Sequence, residues 1–234
     1  MNPSPFFRFA FFGLFAAFGA ACTPLYTSDS YINSTSKAQD LYISRLSSES
    51  VAVLGVIAPA NLQGLGPSVS LALVDALTKA QPPVRAIPVY EAVSIINEHG
   101  LAQKYADLIS DFGSRGILEL QLLRPIGSEL GSHYLLLPGL AEFDQTIMDK
   151  YDFLGVKLVR TRVTTLRLWL QLWDTQTGRI LWESAGELTA ATALLSAKRT
   201  VPLEKLAQEL WLEMIQEDLL EGRTETRLFR RIRE

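Results

Sequence analysis

LRLWLQLWDTQTGRILWE, Leu166 to Glu183, alternates with a period of two. Leu166, Leu168, Leu170 and Leu172 fall on one side, and Arg167, Trp169, Gln171 and Trp173 on the other. That period is the signature of a strand, whose successive side chains point to opposite faces. The strand reading extends back to Val156. Asp174-Thr175-Gln176-Thr177-Gly178 then places Asp and Gly where a tight turn needs them. Arg179 to Glu187 returns as the partner strand. The chain therefore predicts a long antiparallel hairpin with one leucine face turned to a core.

Upstream, Val51 to Ala58 (VAVLGVIA) is continuously apolar and fits a strand covered on both faces. Val69 to Ala80 has helical spacing, with Pro67 suited to the first helical position. Val84 to Val89 reads as a second strand, and Pro88 puts it at an edge or a strand end. Glu91 to Glu98 and Leu101 to Phe112 read as helices closed by Gly100 and Gly113. Gly116 to Leu123 (GILELQLL) alternates enough to predict a third strand, whereas Arg124 to Tyr151 is hard to assign. After the hairpin, Leu203, Leu206, Ala207, Leu210, Met214 and Ile215 make one side of an amphipathic helix over Thr200 to Glu221. The fold class expected is α/β: a mixed β-sheet flanked by helices, with the long antiparallel hairpin followed by the amphipathic helix.

The amino-terminal end decides the compartment. Arg8 is the only charge before an apolar run, Phe9 to Phe18, and Gly19-Ala20-Ala21 precedes Cys22, the single cysteine. This order is that of a secretory signal, and it resembles the bacterial lipoprotein leader. The apolar run is too short to span a bilayer, which takes about 20 residues. Gly19 stands where that leader usually has Leu. The alternative is an ordinary cleaved signal with Cys22 as an odd thiol. The lipoprotein reading makes Cys22 the lipidation site and the lipid bilayer the first partner. Thr23 after the cysteine, rather than Asp, points to the outer membrane and its periplasmic face. The expected organisation is a signal over 1–21, a flexible Ser/Thr/Asn-rich tether over 22–50 with a short helix near 38–45, one α/β domain over 51–222, and a basic tail over 223–234.

Bulk charge narrows the partners. Without Arg8 the mature part carries 21 basic and 25 acidic residues. A near-neutral, slightly acidic chain lacks the basic excess that displaces counterions from nucleic acid, so no nucleic acid is expected. About 213 residues remain after the leader, enough for one sizeable core.

The hairpin with its Asp174-x-x-Thr177-Gly178 turn, Arg179, Ile180 and Trp182, together with VAVLGVIAP at Val51 to Pro59 and the helix start at Val89-Tyr90-Glu91, resembles one family of envelope proteins. These are the proteins related to the curli secretion channel lipoprotein (CsgG-like), including the lipoprotein activators of peptidoglycan synthases (LpoB-like). The resemblance spans Val51 to Leu220. It implies a mixed sheet flanked by helices, no catalysis, and work through contacts with other envelope proteins. The chain departs from it over 124–160, where there is room for one short hairpin at most. That departure favours an adaptor or a small ring over a pore.

Candidate chemistry is sparse. His99 sits at a helix end and His133 in an irregular segment, neither at metal-ligand spacing. Gly64-Leu65-Gly66 lacks the Lys-Ser/Thr of a phosphate loop and reads as a plain connection. Glu183 and Glu187 share a strand face and are the only pair that suggests acid–base work on a wall glycan, with a solvated face as the simpler reading. No catalytic residue, metal or cofactor is expected, and the protein is read as a non-enzyme. The residues chosen as an interface are Arg167, Trp169, Gln171, Trp173 and Trp182, because Trp and Arg concentrate binding energy. The competing reading is that a helix, with Thr200 to Glu221 and its Trp211 the candidate, covers the tryptophans as core. A homo-oligomer is a further expectation, and the Arg-rich end, with Leu228 and Ile232 one helical turn apart, is either a solvated tail or a patch for anionic partners.

Overall fold

The computed structural model describes residues 26–37, 41, 46, 48–151, 157–193, 201–222 and 227–233. In chain order its strands are β1 (Tyr26–Lys37), β2 (Val51–Val53), β3 (Ala86–Ile87), β4 (Tyr134–Tyr151), β5 (Lys157–Asp174), β6 (Ile180–Ala193) and β7 (Arg227–Arg233). Its helices are α1 (Gly66–Lys79), α2 (Val89–Glu98), α3 (Ala102–Arg115), α4 (Leu120–Glu129) and α5 (Leu203–Glu213), the last continued by a π-helical stretch, Met214–Leu220. The strands form one mixed sheet in the order β3-β2-β4-β5-β6-β1-β7. β2 pairs parallel with β3 and β4, and every other pairing is antiparallel. The expected mixed sheet flanked by helices is present.

The sheet separates two apolar layers. Leu166, Leu168, Leu170 and Leu172 are buried with Trp182 under α1 and α5, which contribute Leu73, Leu77, Leu210 and Trp211. Leu135, Leu137 and Trp173 are buried on the other side under α2, α3 and α4, with Ile96, Leu108, Leu123 and Ile126. β2 and the residue after it feed both layers, Val51 and Val53 one and Ala52 and Leu54 the other. That is why its sequence is apolar without alternation. The Trp211 indole N–H donates to the Val69 carbonyl at 3.2 Å and ties α5 to α1.

The turn at the end of β5 follows from its residues. Asp174 Oδ1 accepts from the Gln176 and Thr177 amides at 2.7 and 3.0 Å. Gly178 takes a φ of 69°, which a side chain disfavours. Gly100 (φ 68°) closes α2 as expected, whereas α3 runs past Gly113 and stops at Gly116 (φ 70°).

Four expectations are corrected. Gly116 to Leu123 holds no strand; Leu120–Glu129 is helix α4, despite Pro125 inside it. Leu118, Leu123, Ile126 and Leu130 are the buried apolar side chains, a spacing of three to five that a helix satisfies and a strand does not. The single short hairpin allowed over 124–160 is instead half of a long one, because β4 runs 18 residues and pairs with all of β5's length. The tether over 22–50 gives way at Tyr26–Lys37 to β1, an inner strand between β6 and β7. Its inward Ser28 and Ser30 are buried yet polar, so apolar alternation is missing from the sequence. The basic tail over 223–234 contains β7, an Arg-rich edge strand on β1. Charged side chains are a usual device on sheet edges. The domain boundaries at 51 and 222 therefore cut through the sheet. The short helix expected near 38–45, the signal over 1–21 and Cys22 lie outside the described residues.

Candidate functional site

The interface residues proposed from sequence separate onto different parts of the sheet. Trp182 pairs with Leu172 and shares its face, fully buried beneath α5. Its indole nitrogen has no hydrogen-bond partner among the described residues. Trp173 is 3% exposed and packs under the α2–α4 layer. Both are corrected from interface to core: their large apolar area is sealed by helices on opposite faces. The helix expected to cover the tryptophans, α5, covers Trp182 alone.

Trp169 and Gln171 are half-buried at the margin of the α2–α4 layer. The Trp169 ring stacks on Phe112 of α3, with centroids 5.7 Å apart and planes at 30°. Across the strand pair it lies over Gly139 of β4. Gln171 Oε1 accepts the Trp173 indole N–H at 3.0 Å. Arg167 is the exposed member. Its Nε donates to Glu187 Oε2 on β6, and its Nη1 to Glu142 Oε2 on β4, each at 2.7 Å. The bond to Glu187, with the charges of Glu187 and Glu142, holds the guanidinium above its ordinary pKa. Solvent screens these pairs, so they add little to stability. Glu142 was missing from the sequence reading because β4 itself was not recognised. Glu187, one of the two carboxylates weighed for acid–base work, is thus held in an ion pair.

The remaining candidates are also engaged. His133 Nδ1 lies 2.9 Å from Glu49 Oε2, and His99 Nε2 3.3 Å from Glu129 Oε2. Gly64 and Leu65 belong to a 3₁₀ turn (Ala60–Leu65) that leads into α1. Burial pushes the Tyr105 hydroxyl above its ordinary pKa, and its oxygen accepts the Gly55 amide at 3.0 Å. Among the described residues no group of three or more His, Cys, Asp or Glu could hold a metal ion, and no helix is long and apolar enough to cross a membrane.

The surface that sequence reasoning missed is on α2. Tyr90 is 74% exposed and Val93 42% exposed, while Ala92 and Ile96 of the same helix are buried. A shallow groove of about 240 Å³ beside them is lined by Val93, Ser94, Ile96, Asn97, Ala102 and Tyr105. The signal was present as Tyr90 and Val93 three apart, opposite Ala92 and Ile96 four apart.

No protein-family model and no curated protein matches the chain. Among solved structures, it is similar to the PelC dodecamer of Paraburkholderia phytofirmans at 13% identity and a TM-score of 0.43, covering 80% of this chain and 94% of that one. It is similar to the LpoB C-terminal domain of Salmonella enterica at 16% identity and 0.37, covering 64% and 86%. It is also similar to lipoprotein GNA1162 of Neisseria meningitidis at 16% identity and 0.32, covering 67% and 90%. With TM-scores below 0.5, these likenesses assign neither a family nor a function.

Proposed function

We propose that the chain is an exported envelope lipoprotein, held by acylated Cys22 on the periplasmic face of the outer membrane, that works without catalysis as an adaptor or assembly subunit. The export half rests on the order of Arg8, the apolar run, Gly19-Ala20-Ala21 and the lone Cys22. The observation that carries the contact half is the exposed Tyr90 and Val93 beside the α2 groove. Large apolar side chains kept in water next to a depression mark interaction surfaces, and Tyr is among the residues that dominate them.

A second reading, the homo-oligomer, is favoured by the sheet edges. Among the described residues, β4 from Glu142 to Tyr151 is hydrogen-bonded to β5 alone, and β7 to β1 alone. Unpaired edges are templates for another strand.

One experiment separates these. A photo-crosslinking residue at position 90, in the full chain in its own cells, should trap a distinct envelope protein. Val93→Asp should abolish that product while shifting stability by less than about 1 kcal/mol, as expected at an exposed position. A crosslink to a second copy would support the assembly subunit. No specific product at position 90 from folded, membrane-located protein would contradict the contact reading.

A further inference from the structure

The end of the sheet where β1 begins collects an unusual set of residues. Tyr26 pairs with Thr192 of β6 and with Arg233 of β7. Thr192 pairs with Arg162 of β5, and Arg162 with Ile147 of β4. One rank of residues therefore crosses five strands. Ile147 is 50% exposed and the adjacent Met148 52% exposed.

Charge at this end runs against the rest of the chain. From this rank outward the hairpin carries Lys150, Lys157, Arg160 and Arg162, and β7 adds Arg230, Arg231 and Arg233 within its last four residues. Asp149 pairs with Arg160, and Asp29 and Asp144 lie in the rank of Arg230. The whole chain has a net charge of −3, so the basic excess is local.

Cys22 is four residues before Tyr26. Four extended residues reach at most about 14 Å. The opposite end of β5, at Asp174, is 13 residues from Thr161, which at about 3.3 Å per residue is about 43 Å away. A lipid on Cys22 therefore keeps this end of the sheet within about 14 Å of a bilayer, and the anchor by itself does not set the height of the opposite end.

We infer that this end of the sheet docks on an anionic phospholipid bilayer, with Ile147 and Met148 at the headgroup layer and the ranks that hold the basic residues nearest to it. The inference rests on the reading of Cys22 as acylated. Exposed apolar residues flanked by basic ones suit a membrane surface, where each Lys or Arg strengthens attachment about fivefold. Attachment by the lipid alone leaves the domain free to tumble; the basic end sets which side faces the periplasm.

The test uses the full chain taken from membranes and reconstituted in vesicles of phosphatidylethanolamine and phosphatidylglycerol that contain a quenching lipid. Because Cys22 is the only cysteine and would be blocked by acylation, Met148→Cys or Gln176→Cys supplies a unique thiol for a fluorophore. The probe at 148 should be quenched and the probe at 176, on the opposite turn, should not. A soluble Cys22→Ser chain should bind the same vesicles, and Arg231→Gln and Arg233→Gln should each weaken it about fivefold. Equal quenching at both positions, or no loss with either Arg substitution, overturns the inference. Self-quenching between 148 probes without lipid quenching gives this end to a second copy and also overturns it. The mass of the amino-terminal peptide reads acylation separately. An unacylated Cys22 sinks the anchor, whereas an acylated chain with an unquenched 148 probe sinks only the orientation.

Discussion

Gly139→Ala is expected to destabilise the protein by about 3 kcal/mol, the upper end of the usual cost of overpacking. A Cβ on Gly139 would lie 1.8 Å from Trp169 Cε2 and about as close to two further indole atoms. The ring cannot yield cheaply, because it is held by Phe112 on its other neighbour, and leaving that stack forfeits about 0.5–1.5 kcal/mol more. Trp169→Ala alone should also destabilise, by lost apolar contact. The double variant should be less unstable than the sum, since alanine fits at 139 once the indole is gone. Urea unfolding of the four proteins measures the coupling. Strict additivity would mean that the indole does not rest on Gly139.

Ser28→Ala with Ser30→Ala should loosen β1 by about 2–6 kcal/mol, at about 1–3 kcal/mol for each buried acceptor that loses a partner. Ser28 Oγ donates to Glu209 Oε1 at 2.8 Å and Ser30 Oγ to Glu213 Oε2 at 2.5 Å. All four side chains are buried between β1 and α5. β7 pairs only with β1 among the described residues, so both strands should gain amide exchange together. Amides of β4 and of the Leu166–Leu172 stretch should stay protected. Uniform loss of protection across the sheet would show that β1 is no separable unit.

The core of the molecule was legible from local pattern. Leu166 to Leu172 sit where period two puts them, Asp174 and Gly178 make the turn, Pro67 lies in the first turn of α1 and Gly100 ends α2. What was illegible depended on partners far along the chain. β1 hides its strand character because its inward serines are satisfied by carboxyls about 180 residues away. β7 reads as a charge run until β1 is present to pair with it. Leading into α4, Leu118, Leu120 and Leu122 suggest alternation, and Pro125 argues against a helix. Tertiary packing of Leu123 and Ile126 overrides both. The tryptophans were singled out as an interface, yet period two does not say whether a face meets helix or solvent. Trp173 proved sealed, Trp169 marginal, and Trp182 lay on the far side.

An exported chain that grips the bilayer through Cys22 and acts by contact is cut and acylated at that cysteine. Intact mass and amino-terminal peptide analysis of the protein from fractionated cells tests it most directly. A chain beginning at Cys22, carrying a diacylglyceryl group and found with the outer membrane, is the expected result. A polypeptide that still begins at Met1, with a free thiol and in the cytosol, would contradict it.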